Sequence, residues 1–248
     1  MKGRSYFVAD LHLTDERPAA TGRFFRFLHE EAAGADALYI LGDLFETWIG
    51  DDHDEQVAHD TARQIKALVD AGTPVYFMHG NRDFMLAQAY AALSGMTLLA
   101  DPTRIDLYGT PTLLMHGDTL CTDDVAYQTF RRRVRRPGVL ALLRRLPRTL
   151  RRKMARQARA GSESAKASKP AAIMDVNADA VVNVLREQHC CRLIHGHTHR
   201  PAQHVHAVDG RDCERWVAPD WYARWGYVVC DAQGWHCRSS ILTSSSGT

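Results

Sequence analysis

The first half of the chain alternates between short apolar runs and longer stretches with helical spacing. Short apolar runs are typical of buried strands, whereas apolar residues three or four positions apart mark one face of a helix. The pattern predicts strands at Tyr6 to Ala9, Ala37 to Leu41, Val75 to Met78, Leu98 to Ala100, Arg104 to Tyr108 and Thr112 to Met115. It predicts helices at Thr21 to Ala33, Glu55 to Ala71 and Phe84 to Leu93. This alternation favours a largely parallel sheet covered by helices.

The middle of the chain has a different pattern. It predicts a helix from Asp123 to Arg135, a short apolar stripe, a helix opening at Pro147 and a loop from Gly161 to Pro170. We interpret residues 123–170 as an inserted helical cap, called here the basic cap. Residues 1–122 and 171–242 form the predicted core, and residues 243–248 a flexible tail. The core resumes with a predicted helix at Asn177 to Gln188 and strands at Arg192 to Ile194, His204 to Val208 and Tyr227 to Cys230.

Composition limits the class of protein. Of the 248 residues, 45% are hydrophobic and 24% charged, as in soluble globular proteins. No run of 18 apolar residues occurs, and the N-terminal apolar stretch is too short for a signal-peptide core, so we expect a cytosolic chain. The six cysteines form no C-x-x-C pair, which makes a thiolate zinc site unlikely and indicates thiols in a reducing compartment.

Charge is segregated along the chain. The stretch from Thr129 to Lys169 holds fifteen Arg or Lys residues and one acid, Glu163, for a net charge of +14. The rest of the chain carries sixteen bases and twenty-eight acids, for a net charge of −12. Such a basic segment attracts anionic partners, and its apolar stripe predicts a surface for acyl chains or a membrane interface. The alternative is that the stripe packs on the core and the arginines are a solvated face. The stripe comprises Val139, Leu142, Leu143, Leu146, Leu150 and Met154.

Five apolar runs are followed by residues that commonly bind metal ions. The segments are Asp10-Leu11-His12, Gly42-Asp43, Gly80-Asn81-Arg82-Asp83, His116-Gly117-Asp118 and His195-Gly196-His197. Open α/β sheets bind ligands beyond the carboxyl ends of their strands, so we expect these segments to share one pocket. Carboxylate, amide and imidazole groups without thiolate suit Mn²⁺, Fe²⁺ or Zn²⁺ better than Ca²⁺. Two such ions about 3.5–4 Å apart are typical of enzymes that cleave phosphate esters.

The order D-x-H, G-D, G-N-[HR]-D, H-G-D and G-H-x-H resembles the signature of calcineurin-like metallophosphoesterases. The resemblance implies two facing mixed β-sheets flanked by helices, within the α/β class, and two Mn²⁺ ions per chain. It implies that one ion is bound by Asp10, His12, Asp43 and His197. It implies that the other is bound by Asp43, Asn81, His116 and His195. His199 corresponds to no ligand position under this alignment.

Two further stretches, from Asp118 to Asp124 and from Met174 to Asn177, resemble one branch of the family. Members of that branch act in lipid A synthesis on a glycolipid nucleotide, UDP linked to a diacylated glucosamine. The resemblance implies attack of metal-activated water on the α-phosphate, which releases UMP and the sugar 1-phosphate. The implied substrate-contacting residues are Asn81, Arg82, Asp124, Ser162, Lys166, Lys169 and His195. Lys166 departs from the asparagine expected there, and Ala218-Pro219 departs from the expected Leu-Gly.

Arg82 stands where many relatives carry a histidine. Arginine stays charged in proteins, so it cannot supply a proton to an alkoxide leaving group. A phosphate leaving group, with a second pKa near ~6, needs no proton, and a guanidinium can hold its charge. Arg82 therefore favours pyrophosphate cleavage, with Arg82, Asn81 and His195 as the catalytic candidates. The structural alternative is an ion pair between Arg82 and Asp83.

Two other functions remain open at this point. A phosphodiesterase acting on a soluble nucleotide would use the same metal motifs. A nucleic-acid binding module could use the fifteen bases, but only Phe130 lies among them for base stacking, so we expect no nucleic-acid partner. The expected location is the cytoplasm, with peripheral attachment to the cytoplasmic face of the inner membrane. The sequence leaves the oligomeric state open.

Overall fold

The computed structural model describes residues 3–168, 175–222 and 224–241, and gives only the backbone for residues 163–168. The described chain forms eleven strands, seven α-helices and one short 3₁₀ turn. The strands are β1 Ser5–Val8, β2 Ala37–Leu41, β3 Val75–Met78, β4 Thr97–Leu99, β5 Thr103–Leu107, β6 Thr110–Leu114, β7 Arg192–His195, β8 Gln203–Val208, β9 Arg211–Val217, β10 Arg224–Asp231 and β11 Gly234–Ile241. The helices are α1 Pro18–Glu30, α2 Gln56–Asp70, α3 Gln88–Ser94, α4 Val125–Val134, α5 Pro137–Arg145, α6 Arg148–Ser168 and α7 Ala178–Glu187. The 3₁₀ turn covers Asp118–Leu120.

The strands form two mixed sheets. The six-stranded sheet has the order β11-β10-β1-β2-β3-β4, in which β1 to β4 are parallel and β10 is antiparallel to β1. The five-stranded sheet has the order β5-β6-β7-β9-β8, with β6, β7 and β9 parallel. The prediction of two mixed sheets flanked by helices is confirmed.

Side chains alternate across each strand, and this alternation divides the apolar residues into three layers. Tyr6 and Val8 of β1 pack with the helices α1 to α3, whereas Phe7 of the same strand lies in the layer between the sheets. That middle layer includes Leu114 of β6 and Ile194 of β7. The third layer packs α7 on the outer face of the five-stranded sheet. The carboxyl ends of β1, β2, β3, β6 and β7 are thereby held along one edge of the molecule.

Several predicted boundaries need correction. The predicted loop from Gly161 to Pro170 is helical as far as Ser168, because the surrounding Ala, Arg, Lys and Glu residues favour a helix more than one glycine opposes it. The rest of that prediction, from residue 169 on, lies outside the described residues. The predicted helix from Phe84 begins only at Gln88, since backbone amides of Ala87 and Tyr90 donate to Asp51. Strands β9 and β11 were not predicted.

The basic cap is held on the acidic core by charge pairs. Arg131 Nε lies 2.6 Å from Asp118 Oδ2, and Arg135 NH2 donates to the carbonyl oxygen of Gly80 at 2.8 Å. Among the bases of this stretch whose side chains the structure describes, six pair with core carboxylates. They are Arg131, Arg135, Arg148, Arg151, Arg152 and Arg159. Part of the positive charge of the basic cap is therefore neutralised by carboxylates of the core.

Arg151 is the most buried of these attachments, with 5% of the residue exposed. Its guanidinium contacts both oxygens of Asp52 and donates to the carbonyl of Ile49, and its Nε donates to Leu146 O at 2.9 Å. A methyl-sized group at Gly50 would collide with this guanidinium. Arg151 therefore ties α6 to the loop that follows β2.

We predict that Arg151→Ala lowers the free energy of unfolding by about 1–3 kcal/mol, because buried hydrogen bonds of a charged group are lost. Urea denaturation followed by circular dichroism measures the change. The matched control is Arg152→Ala, whose pair with Asp54 is exposed and should contribute little. Equal destabilisation by the two variants would contradict the buried attachment.

Candidate metal centre

Five residues at one edge of the two sheets adopt the left-handed backbone conformation, which is uncommon for residues other than glycine. They are Asp10, His12, Asp43, His197 and His199, with φ angles of 53°, 51°, 54°, 69° and 55°. They account for five of the eight such non-glycine residues in the described chain. Strained conformations of this kind persist where the surrounding structure fixes them, and they cluster at functional sites.

Backbone hydrogen bonds fix the turns after β1 and β2 against each other. The amide of Asp10 donates to Gly42 O at 3.1 Å, and the amide of His12 donates to Asp43 O at 2.9 Å. Glycine is required where Asp43 approaches the turn after β3, because a Cβ on Gly80 would overlap the Asp43 carboxylate and its backbone nitrogen. Main-chain hydrogen bonds therefore position the turns that carry these ligands, without a contribution from the ligand side chains.

One group of side chains gathers around Asp10. Ligand atoms of Asp10, His12 and His199 all lie within 4.8 Å of one another. His12 Nε2 is 3.4 Å from His199 Nε2 and 3.9 Å from Asp43 Oδ2. Two imidazoles and two carboxylates therefore face one small volume, and the buried oxygen Oδ1 of Asp10 accepts no hydrogen bond within the described residues.

A second group gathers around Asn81. Its amide oxygen lies 3.1 Å from His116 Nε2 and 3.0 Å from His197 Nδ1. His116 Nδ1 donates to the carbonyl oxygen of Leu41 at 2.9 Å, so Nε2, which faces the Asn81 oxygen, is the nitrogen available to a metal ion. Asp43 Oδ2 is 3.9 Å from His116 Nε2, the same distance as from His12 Nε2 in the first group. Asp43 is therefore placed to be shared by two cations.

The chemistry of these donors fits a pair of metal ions. Carboxylate, amide and imidazole donors converge at short distances in both groups, and a cation would be bound by several of them together. Burial lowers the pKa of His116, but the carboxylates of Asp43, Asp118 and Asp10 outweigh it and raise the pKa to about 9. Burial raises the pKa of Asp43 to about 7. Both shifts reflect buried carboxylates that lack sufficient compensating positive charge.

The sequence-based assignment of His195 as a metal ligand is not supported by its geometry. Its Nδ1 lies 2.8 Å from Gly196 O and its Nε2 lies 3.1 Å from Arg215 NH1, so the carbonyl accepts from one nitrogen and the guanidinium donates to the other. Burial, together with the charge of Arg215, lowers the pKa of His195 to about 3, so the ring stays neutral with no lone pair left for a metal.

The predicted ligand set is therefore corrected by two positions. His197 lies in the second group, where His195 was expected, and His199 lies in the first group, where His197 was expected. The missed residue is His199. The signal was present in the sequence, because G-H-x-H describes Gly196-His197-Thr198-His199 directly.

Arg82 lies beside the shared carboxylate, since its backbone amide donates to Asp43 Oδ1 at 2.8 Å. Its guanidinium NH1 is 3.8 Å from Glu46 Oε1. Asp83 accepts instead from the amides of Gly80 and Leu44, at 2.8 and 2.7 Å. Asp83 therefore does not form the ion pair with Arg82 that was the structural alternative. Arg82 instead lies beside the candidate metal centre.

The remaining substrate-binding candidates lie in the basic cap. Asp124 caps the N-terminus of α4 by accepting from the amide of Tyr127 at 3.1 Å. Ser162 is exposed on α6. Lys166 belongs to the same helix, although its side chain is not described, and Lys169 lies outside the described residues. No helix of the described chain is long and apolar enough to cross a membrane.

The family model for calcineurin-like phosphoesterases matches residues 3–201, and the chain belongs to this family of metallophosphoesterases. Curated relatives carry the name UDP-2,3-diacylglucosamine hydrolase. The protein from Klebsiella pneumoniae is 52% identical over 222 residues, which are 90% of this chain and 92% of the relative. The protein from Escherichia coli O127:H6 is 51% identical over 226 residues, 91% of this chain and 94% of the relative. The protein from Enterobacter sp. is 50% identical over 228 residues, 92% and 95%.

We predict that protein loaded with Mn²⁺ as a probe metal loses one of two ions per chain in His199→Ala and in His197→Ala, whereas His195→Gln retains both. A side-chain ligand is lost in the first two variants but not in the third. Metal content after dialysis, measured by inductively coupled plasma mass spectrometry, gives the stoichiometry. Loss of an ion from His195→Gln, with retention in His199→Ala, would restore the assignment made from the sequence.

Proposed function

We propose that this chain hydrolyses the pyrophosphate bond of UDP-2,3-diacylglucosamine, with two Mn²⁺ ions, and releases UMP and 2,3-diacylglucosamine 1-phosphate in lipid A synthesis. The observation that carries the proposal is about 50% identity to hydrolases of that name, over at least 90% of both chains. The geometry supports it through the two ligand groups that share Asp43 and through Arg82 beside them.

The protein's own residues have distinct tasks in this proposal. Asp10, His12, Asp43 and His199 would hold one ion, and Asp43, Asn81, His116 and His197 would hold the other. A bound metal pair supplies an activated water and neutralises charge on the phosphoryl oxygens. Asp10, His12, Asp43 and His116 are buried, and backbone hydrogen bonds fix the turns that carry Asp10, His12 and Asp43, so these ligands need little rearrangement when the substrate arrives.

Arg82 would bind the diphosphate next to the bond that is cleaved. Its side chain is only 14% exposed, so its charge is poorly screened by water. A permanently charged guanidinium stabilises a phosphate leaving group and cannot protonate an alkoxide. Substrates with an alkoxide leaving group should therefore be poor ones, and this argues against a general phosphodiesterase.

The basic cap would receive the acyl chains and the membrane surface. Leu143 of the predicted stripe packs partly against the core, whereas Leu142, Leu150 and Met154 are 61%, 42% and 40% exposed. The stripe thus has both a packed and an exposed side. Basic residues near an anionic bilayer contribute about 1 kcal/mol each. We accordingly propose a cytoplasmic protein peripherally attached to the inner membrane.

Incubation of the purified protein with Mn²⁺ and UDP-2,3-diacylglucosamine is expected to release UMP, detected by chromatography. The comparison substrates are UDP-N-acetylglucosamine, which lacks the fatty acyl chains, and bis-p-nitrophenyl phosphate. Turnover should be at least ten-fold lower on both, because one offers no acyl chains to the cap and the other offers no diphosphate. Equal turnover of all three would instead indicate a phosphodiesterase acting on soluble substrates.

We predict that Arg82→Ala lowers kcat by about 10²–10³-fold, as expected when a preorganised donor to developing negative charge is lost. Bound Mn²⁺ should remain at two ions per chain, because Arg82 is not a ligand. Arg82→Lys serves as the matched control, retaining charge without the planar guanidinium, and should recover part of the activity. A kcat within two-fold of wild type in Arg82→Ala would remove Arg82 from catalysis.

A further inference from the structure

Glu46 is a buried carboxylate outside the metal-ligand and substrate-binding sets predicted from the sequence. Its backbone amide donates to Leu13 O at 3.1 Å, and Leu13 donates in turn to Leu44 O at 2.9 Å. These bonds join the segment after Asp43 to the segment after His12, with Leu13 and Phe45 forming an isolated parallel bridge. Glu46 therefore lies beside His12 because of main-chain pairing and not because of a flexible side chain.

The two carboxylate oxygens of Glu46 face different partners. Oε2 accepts from the hydroxyl of Tyr222 at 2.7 Å and lies 3.4 Å from Nδ1 of His12. Oε1 lies 3.1 Å from Arg159 NH1 on α6 and 3.8 Å from Arg82 NH1. One buried carboxylate thus contacts a metal-ligand candidate, the proposed catalytic arginine and the basic cap.

Tyr222 covers the other side of His12. Its ring stacks on the His12 imidazole with centroids 4.6 Å apart and planes inclined by 29°. The guanidinium of Arg17 lies 4.5 Å from the same ring and donates to the carbonyl oxygen of Tyr222 at 3.1 Å. Burial and the Glu46 carboxylate both raise the pKa of Tyr222, so its hydroxyl remains a donor. The ring and the hydroxyl are held independently, one by stacking and the other by Glu46.

We propose that Glu46 and Tyr222 form a positioning pair for His12. Glu46 attracts the proton of His12 to Nδ1, which leaves Nε2 for the first metal ion, and Tyr222 orients both the carboxylate and the imidazole ring. Metal-bound histidines commonly rely on a carboxylate at the second ring nitrogen, and loss of such a partner lowers metal affinity about 10–100-fold. The inference rests on the proposed two-metal site.

The pair also connects the metal centre with substrate capture. Because Glu46 Oε1 lies 3.8 Å from Arg82 NH1 and 3.1 Å from Arg159 NH1, removal of its charge takes away an anion that helps to position both guanidinium groups, whereas removal of the Tyr222 hydroxyl does not. Two separable effects follow. Tyr222→Phe should act on the first metal ion alone, and Glu46→Gln should act on that ion and also on KM.

The experiment is a Mn²⁺ titration of the full-length protein, followed by the electron paramagnetic resonance signal of free Mn²⁺. Wild type is expected to bind two ions. Tyr222→Phe should weaken one of the two dissociation constants about ten-fold and leave the other within two-fold. Tyr108→Phe is the matched control, because its hydroxyl also donates to a carboxylate, Asp36 at 2.8 Å, at the opposite ends of the strands.

A second set of variants identifies which ion is affected. In a His12→Ala background the first ion is already weakened, so adding Tyr222→Phe should change nothing further. Glu46→Gln should weaken the same ion as Tyr222→Phe, with a higher KM, and the double variant should resemble Glu46→Gln alone. Melting temperatures establish that each variant is folded. If Glu46→Gln does not fold, the Mn²⁺ affinities of Tyr222→Phe alone test whether the pair positions His12.

If Tyr222→Phe bound both ions with wild-type affinity, the proposed role of Glu46 and Tyr222 in positioning His12 would be wrong. A weakening by Tyr222→Phe that persists in the His12→Ala background would also overturn that role. A wild-type protein that binds fewer than two Mn²⁺ ions would contradict the proposed metal site itself, which distinguishes failure of that proposal from failure of this one.

Discussion

The structure depends on the meeting of five strand ends from two sheets at a single point. The sheets pack through a shared apolar layer, so the carboxyl ends of β1, β2, β3, β6 and β7 reach the same edge. The residues that follow must turn sharply there, and five of them take left-handed conformations that cost about 1–3 kcal/mol each. Hydrogen bonds between the turns offset part of that cost, and Asp43 lies equally far from His12 and His116.

The sequence predicted the parts of this arrangement that depend on local pattern. Apolar runs gave the buried strands, and polar residues after them gave most of the ligand set. The choice between His195, His197 and His199 could not be made from periodicity, because it depends on which ring meets Arg215, twenty residues away in sequence. Strand β11 escaped prediction because it is an edge strand with largely exposed, polar side chains, and its pairing with β10 is a tertiary contact.

The fold changes how the uneven distribution of charge along the chain is interpreted. A net charge of +14 in one segment first indicates an external anion, whether lipid or nucleic acid. Six of those bases in fact contact acids of the core, and the arginines nearest the metal centre are among them. The basic segment is visible in the sequence alone, whereas its ion pairs with the core depend on the fold.

Arg135 joins the basic cap to the carbonyl of Gly80, the residue immediately before Asn81. A displacement of α4 must therefore be transmitted to a metal-ligand turn, and an ion at that turn must in turn restrain α4. Coupling between two binding events is reciprocal in free energy. A glycolipid that moved α4 on binding would therefore change the affinity of this turn for the second metal ion, and the bound ion would change the affinity for the glycolipid by the same factor.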